Sequence, residues 1–354
     1  MQASRWHAVF VALIAALLPL AAHAWPRGEV ERFATLPAGE GHPEGSAADG
    51  HGAIYVSTFD LRRASAGSPG PGRMFVFDRH GELLRTVMIA GASHLLLDLA
   101  FHPTSGALLA VDFGNQRVLT VDPHTGASSV FATIPGGAAA GPNMLHFDRA
   151  GSVYLSDSFQ GVIWKIPAAG GAPERWVDHP SLRTMGVPPF GAVGLGFNRA
   201  GDAMFVAVSG NDQIVRIPVT AGVPGTPAVF VNSVNGPSGL LIDEDDNLWI
   251  TASQADEVVV LDPTGRVIAK LGDFDGISRR GAPRGLLFPV GLLRVGDWLY
   301  VSNLSLDLRV FGLAPPVDAQ WAAEVRRYTV SRLKAKIPPV RGQRRDVNER
   351  RGDD

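Results

Sequence analysis

Six copies of one short pattern govern what this chain can fold into. In each, a turn rich in Pro or Gly leads into an apolar strand, a tight turn follows, and a second strand carries an aromatic or apolar centre. The fullest copy runs from Gly141 to Asp157, reading GPNMLHFDRAGSVYLSD. The others begin at His42, Leu97, Ala192, Pro237 and Pro289. Their second strands are centred on Tyr55, Leu109, Tyr154, Phe205, Trp249 and Tyr300, which lie 44 to 54 residues apart. A unit made only of strands and recurring at that period reads as a propeller blade. The expectation is one all-β domain, a six-bladed β-propeller with four-stranded blades.

Third strands are expected at Arg73–Asp78, Arg117–Asp122, Val162–Ile166, Ile214–Ile217, Val258–Asp262 and Leu308–Phe311. Several end in hairpin turns such as Asp262-Pro-Thr-Gly265, where Asp and Gly supply the geometry. Val30–Leu36 matches the outer strands Ser129–Ile134 and Ala228–Asn232 but has no blade of its own. It is therefore expected to pair with the strand near 307–312, closing the ring and removing an exposed edge. On this reading the propeller spans residues 25–316, and 317–354 form a C-terminal extension ending in a basic tail. Within that extension a short helix after Asp318 and a strand at Tyr328–Arg332 are both compatible with the residues. Long connections at 62–72, 178–190 and 273–288 suit binding loops or surface excursions.

Residues 1–24 read as a secretory signal peptide. Arg5 precedes the apolar run Val9–Leu20, which is too short for a membrane span, and Ala22-His23-Ala24 offers a small-x-small cleavage site. With no cysteine, the chain has no disulfide, thiolate metal site or cysteine nucleophile. A large core makes disulfides unnecessary outside the cytoplasm: 45% of residues are apolar and 19% charged. The expected location is the periplasm or the medium, with no membrane span after signal cleavage and the protein acting as a monomer. The formal charge is −2, yet residues 326–354 hold ten Lys or Arg against four acids. An acidic body argues against a nucleic-acid partner, and the tail shows no apolar periodicity, as expected of a solvated, disordered end.

The repeat wording, Asp-x-x-Gly-x-φ-Tyr-φ-Ser/Thr-Asp after an apolar strand, resembles the family of gluconolactonase, senescence marker protein (regucalcin) and luciferin-regenerating enzyme. The resemblance covers roughly residues 29–312, judged by the repeat, and Asn-His-Leu repeat propellers look similar over much of it. It implies a hydrolase of a lactone or related sugar-acid ester working at the central channel. It also implies a divalent cation, usually calcium, that polarises the carbonyl or lowers the pKa of a bound water. By that resemblance Glu44, in Pro43-Glu44-Gly45, is the first metal ligand, and Asn143, in Pro142-Asn143, stands beside the metal. Val193 and Ser238 fall where an Asn and an Asp ligand would stand. Valine has no ligand atom and serine is a weak neutral one, so calcium is expected to bind weakly or not at all.

The candidate site is then Glu44 and Asn143 as catalytic groups, Asn143, His146, Ser238 and Val193 against a small-molecule ligand, and Glu44 as the one charged metal ligand. Asp98 and His94 lie beside the same turns, while Asp112, Asp157 and Asn303 end second strands, where Ser-Asp commonly caps a turn. Glu44 and Asn143 could equally be turn residues bonded to backbone. No phosphate loop, Gly-x-Ser-x-Gly elbow or His-Glu-x-x-His helix is present. Two functions remain open on these residues: a lactonase, or a non-catalytic propeller binding a small molecule or an exported protein at the same mouth.

Overall fold

A computed structural model describes residues 26–68, 70–311 and 319–338. The strands form six antiparallel four-stranded sheets arranged as the blades of a propeller. Blade 1 comprises His42–Ala48, Ile54–Phe59, Gly72–Phe77 and Leu83–Ile89. Blade 2 comprises Leu96–Phe101, Leu108–Asp112, Arg117–Val121 and Ser128–Thr133, and blade 3 Pro142–Phe147, Val153–Asp157, Val162–Ile166 and Glu174–Asp178. Blade 4 is built of Ala192–Phe197, Ala203–Val208, Gln213–Thr220 and Ala228–Asn232, and blade 5 of Pro237–Ile242, Leu248–Ala252, Glu257–Leu261 and Val267–Leu271. Blade 6 is ordered Pro289–Val295, Trp298–Asn303, Thr329–Lys334 and then Val30–Thr35, so the first and last strands of the ring are hydrogen-bonded to each other.

The ring closes on a different strand from the one expected. Leu308–Phe311 is a short 3-10 turn, entered by Asp307, whose carboxylate accepts the Arg309 backbone N–H at 3.0 Å and its guanidinium at 2.7 Å. The third place in blade 6 goes to Thr329–Lys334, which pairs with Val30–Thr35 from Val30 opposite Leu333 to Thr35 opposite Thr329. Asn303 selects that segment: its Nδ2 donates to the hydroxyls of Thr329 and Ser331 at 3.0 and 2.9 Å. Leu308-Arg-Val-Phe offers no hydroxyl at either place. The ring therefore continues past residue 316, and part of the stretch expected outside it belongs to its last blade. Residues 1–24, and the basic tail from 339 onward, lie outside the described residues.

Blades pack through their faces. The second-strand aromatics are the knobs: Tyr55 meets Phe101 of blade 2 edge-on at 5.3 Å, and Tyr154 meets Phe197 of blade 4 at 4.9 Å. In blade 6, Phe33 packs against Tyr300 at 4.7 Å. Burying a side chain of this size contributes about 1.5–3 kcal/mol. Toward the axis the innermost strands have no further strand to bond. Pro43, Pro142, Pro237 and Pro289 are tolerated there because the missing N–H has no partner to lose.

Candidate functional site

All six innermost strands share one irregularity. Pairing with the second strand shifts register between Pro43 and Ser46, Leu96 and Leu99, Pro142 and Leu145, Ala192 and Leu195, Pro237 and Leu240, and Pro289 and Leu292. Two residues therefore oppose one, a bulge that re-aims a side chain. The first residue of each bulge is Glu44, Leu97, Asn143, Val193, Ser238 or Val290, and all six line one cavity at the channel's mouth. Second-strand hydroxyls hold the bulges in place. Ser57 accepts the Gly45 N–H at 2.9 Å and donates to the Leu97 carbonyl of blade 2. Ser156 accepts Met144 N–H at 3.0 Å, and Thr251 donates to the Val290 carbonyl of blade 6 at 2.8 Å. The second bulge residue is glycine in four blades because the next blade's backbone is there: a Cβ on Gly239 would sit 2.2 Å from the Val290 carbonyl oxygen, and one on Gly291 2.1 Å from that of Glu44.

The four channel residues expected from the sequence thus converge, and Leu97 and Val290 complete the set. The cavity encloses about 50 Å³ and is open to solvent. Phe59, Phe113, Phe190 and Phe288 wall it, with Pro188, Leu304 and Leu306. Two of the three long connections therefore contribute to the mouth: 178–190 supplies Pro188 and Phe190, and 273–288 supplies Phe288. The first connection instead folds into the short helix Leu61–Ser65, capped by Asp60.

Glu44 is 5% exposed, and its Oε2 has no hydrogen-bond partner. Burial, and then the nearby Asp98 carboxylate, push its pKa from 4.5 up to about 8. Asn143 is fixed by geometry. Ser158 has one hydroxyl proton, which it donates to the Ala192 carbonyl at 2.8 Å, so it accepts from Asn143 Nδ2 at 3.0 Å. That leaves the second Nδ2 proton and the amide oxygen for the cavity. The site resembles a carbonyl-handling pocket more than a cation cage. Calcium takes six to eight oxygens, several of them charged. Here Leu97, Val193 and Val290 offer none, Ser238 and Asn143 are neutral, and the one carboxyl is driven toward its neutral form. The residues at these positions do not fit a resident divalent cation. Among the described residues no group of three or more His, Asp or Glu is placed to hold one.

His146 does not join this cavity. The innermost strand runs along the channel, about 3.3 Å per residue, so three residues beyond Asn143 it lines a second cavity of about 160 Å³ with Asp98, Ser46 and Met144. Its Nε2 accepts the Phe197 N–H at 3.3 Å, and burial lowers its pKa to about 4, so the ring is neutral. Asp98 accepts the N–H of Leu99 and of Leu145, each at 2.9 Å, tying blade 2 to blade 3, and burial raises its pKa to about 7.

The remaining sequence candidates are scaffold. Asp157 collects the N–H groups of Gly141 at 2.9 Å and Gln160 at 3.0 Å and the Trp164 indole at 3.2 Å. Asp112 takes Ser93 N–H at 3.1 Å and Arg117 Nε at 3.0 Å. Asn303 anchors the closing strand as described. His94 is buried against Ser68, with Nε2 2.8 Å from its hydroxyl and a pKa lowered by burial.

Comparison with known proteins locates this architecture. Residues 190–272, which contain blades 4 and 5, match a family profile described as the SMP-30/Gluconolactonase/LRE-like region. No curated protein sequence matches the chain. Among solved structures, a luciferin-regenerating enzyme superposes with a TM-score of 0.61 at 14% identity, covering 86% of this chain and 95% of that one. A gluconolactonase from Xanthomonas campestris gives 0.58 at 13% identity, covering 88% and 90%. A streptogramin B lyase gives 0.56 at 13% identity, covering 88% and 99%. At such identities the likeness is one of fold, and the fold hosts hydrolytic and lytic chemistry alike. With its ring closed between the first and last strands, the chain is a six-bladed β-propeller, and its residues 190–272 are similar to the SMP-30/Gluconolactonase/LRE-like region.

Proposed function

We propose that the chain is an exported hydrolase of a cyclic ester, acting at the mouth cavity without a resident cation. The observation that carries this reading is Glu44: a buried carboxyl with an unpartnered oxygen, titrating near 8, at the floor of an apolar cavity beside two neutral hydrogen-bonding groups. A base is most effective when its pKa lies near the working pH. In its ionised form Glu44 takes a proton from water as the water oxygen bonds to the lactone carbonyl carbon. Negative charge develops on the carbonyl oxygen, where the Ser238 hydroxyl and the second Nδ2 proton of Asn143 are the donors on offer. Glu44 then returns the proton to the ring oxygen as its bond to the carbonyl carbon breaks, leaving a hydroxy acid. Val193, Leu97 and Val290 keep the surroundings apolar, which holds the carboxyl's pKa high.

Export rests on Arg5, the Val9–Leu20 run and the Ala22-His23-Ala24 motif. No helix among the described residues is long and apolar enough to cross a membrane.

The deciding experiment is metal analysis of the mature protein followed by a lactone screen with and without chelator, repeated on Glu44→Gln. Turnover that survives chelator and is lost in Glu44→Gln supports the reading. Turnover that Glu44→Gln leaves intact sinks it. A second reading, a non-catalytic binding module, is favoured by one feature of the same group. At neutral pH Glu44 is mostly protonated, so it can hold a ligand carbonyl as a donor and go no further. Ligand binding that weakens in Glu44→Gln, with no lactone hydrolysed, selects that alternative.

A further inference from the structure

Resting on the reading of the mouth cavity as a carbonyl site, we infer that its ligand is a lactone bearing an apolar alkyl or aryl substituent rather than a polyhydroxylated sugar lactone. The wall is a continuous arc of aromatic rings across blades 1 to 4. Phe59 meets Phe113 edge-on at 5.8 Å, Phe113 meets Phe159 at 5.6 Å, and Phe159 stacks on Phe190 at 5.9 Å with 14° between planes. The arc continues outward. Phe159 is 43% exposed. The apolar surface thus leads from the cavity wall to solvent at Phe159, a way out for a substituent.

Polar capacity is confined to the floor. Ser253 lines the cavity, yet its hydroxyl already donates to the Pro289 carbonyl at 2.7 Å, and one Asn143 amide proton is committed to Ser158. What remains on Glu44, Asn143, Ser238 and Ser209 can satisfy an ester group and one or two further hydroxyls. A sugar lactone would bring several more hydroxyls against phenylalanine, where none finds a partner, and a buried hydroxyl without a partner disfavours binding. A methylene placed on the same surface strengthens binding about three- to fourfold. With only about 50 Å³ enclosed, the substituent lies along the aromatic arc while the ester reaches Glu44.

Two measurements separate this inference from the hydrolase reading. The first is calorimetric binding of cyclohexanones with alkyl chains from methyl to pentyl, which present a carbonyl but cannot be hydrolysed. The second is kcat/KM for δ-lactones with the same chains, against glucono-δ-lactone. The expected result is a gain of about three- to fourfold per methylene in both series, and a pentyl lactone at least about tenfold better than glucono-δ-lactone. Phe190→Ala, and the solvent-exposed Phe159→Ala, whose folding is checked by melting, should flatten the chain-length dependence. Ketones that bind with this dependence while no lactone is turned over uphold the apolar site and remove the hydrolase. Glucono-δ-lactone preferred over the pentyl lactone, or ketones that do not bind, overturns the inference.

Discussion

The two ends of the channel are made from the same six strands, and each holds a carboxyl, Glu44 buried and Asp98 half-buried. Asp98, toward the far end, spends both oxygens on backbone N–H groups and joins two blades. Glu44, at the mouth, leaves Oε2 with nothing. Desolvation raises the pKa of both, so titration does not tell them apart. Hydrogen-bond satisfaction does. A carboxyl whose acceptors are filled by the scaffold has its work done already, whereas one held apolar and unfilled costs stability and gains from a ligand.

The sharpest test of that contrast is Glu44→Gln, which should lower lactone turnover about a hundredfold or more while making the protein more stable. An acid whose pKa is raised on folding destabilises the native state between its unfolded and folded values. Here that window runs from 4.5 to about 8, amounting to about 3 kcal/mol at pH 7. Urea unfolding should show Glu44→Gln ahead of the native protein at pH 7 and level with it near pH 4.5. A variant less stable at pH 7 would show that Glu44 is satisfied in place.

The pH dependence of the native protein comes next. With Glu44 as base, kcat/KM should climb with a midpoint at about pH 8 and at pH 7 reach about a tenth of its plateau; a rate that falls across that range would assign Glu44 the opposite proton role. Removing charge at the other end should move this curve. Asp98→Asn withdraws one of the two causes that raise the Glu44 pKa, so the midpoint should shift to lower pH and activity at pH 7 should rise a few-fold. Calcium should matter less: calorimetry should give a Kd no tighter than about millimolar, and chelator should alter turnover less than about twofold. The smallest effect belongs to His146→Phe, which removes the acceptor for the Phe197 N–H. About 1 kcal/mol of stability should be lost, with turnover of the mouth site almost unchanged.

The repeats made the ring legible, because each copy writes the same strand and turn residues at nearly constant spacing. Glu44, Asn143, Val193 and Ser238 could be aligned for the same reason. Leu97 and Val290 escape because apolar side chains carry no chemical signal and the resemblance implies no ligand there, and the bulges escape because register is a property of two strands. His146 was placed with Asn143 on proximity in the chain, yet a strand along the axis carries three residues about 10 Å, from one end of the channel toward the other. The closing strand was hidden by the stretch between Asn303 and Thr329, and only the Asn303 side chain, seen in three dimensions, reveals which segment it bonds.

The sixfold bulge has a consequence for how such a ring can change. On either side of each bulge the ladder is held by main-chain groups and by second-strand hydroxyls such as Ser57, Ser156 and Thr251, so the register does not rest on the side chain of the first bulge residue, even where Leu97, Val193 and Val290 pack into the core. The channel mouth is in effect a keyboard of six keys on a fixed frame, where chemistry can be rewritten without moving a strand. Val193→Asn together with Ser238→Asp would add oxygens facing Glu44 and turn a lipophilic pocket into a cation seat, while every blade keeps its register.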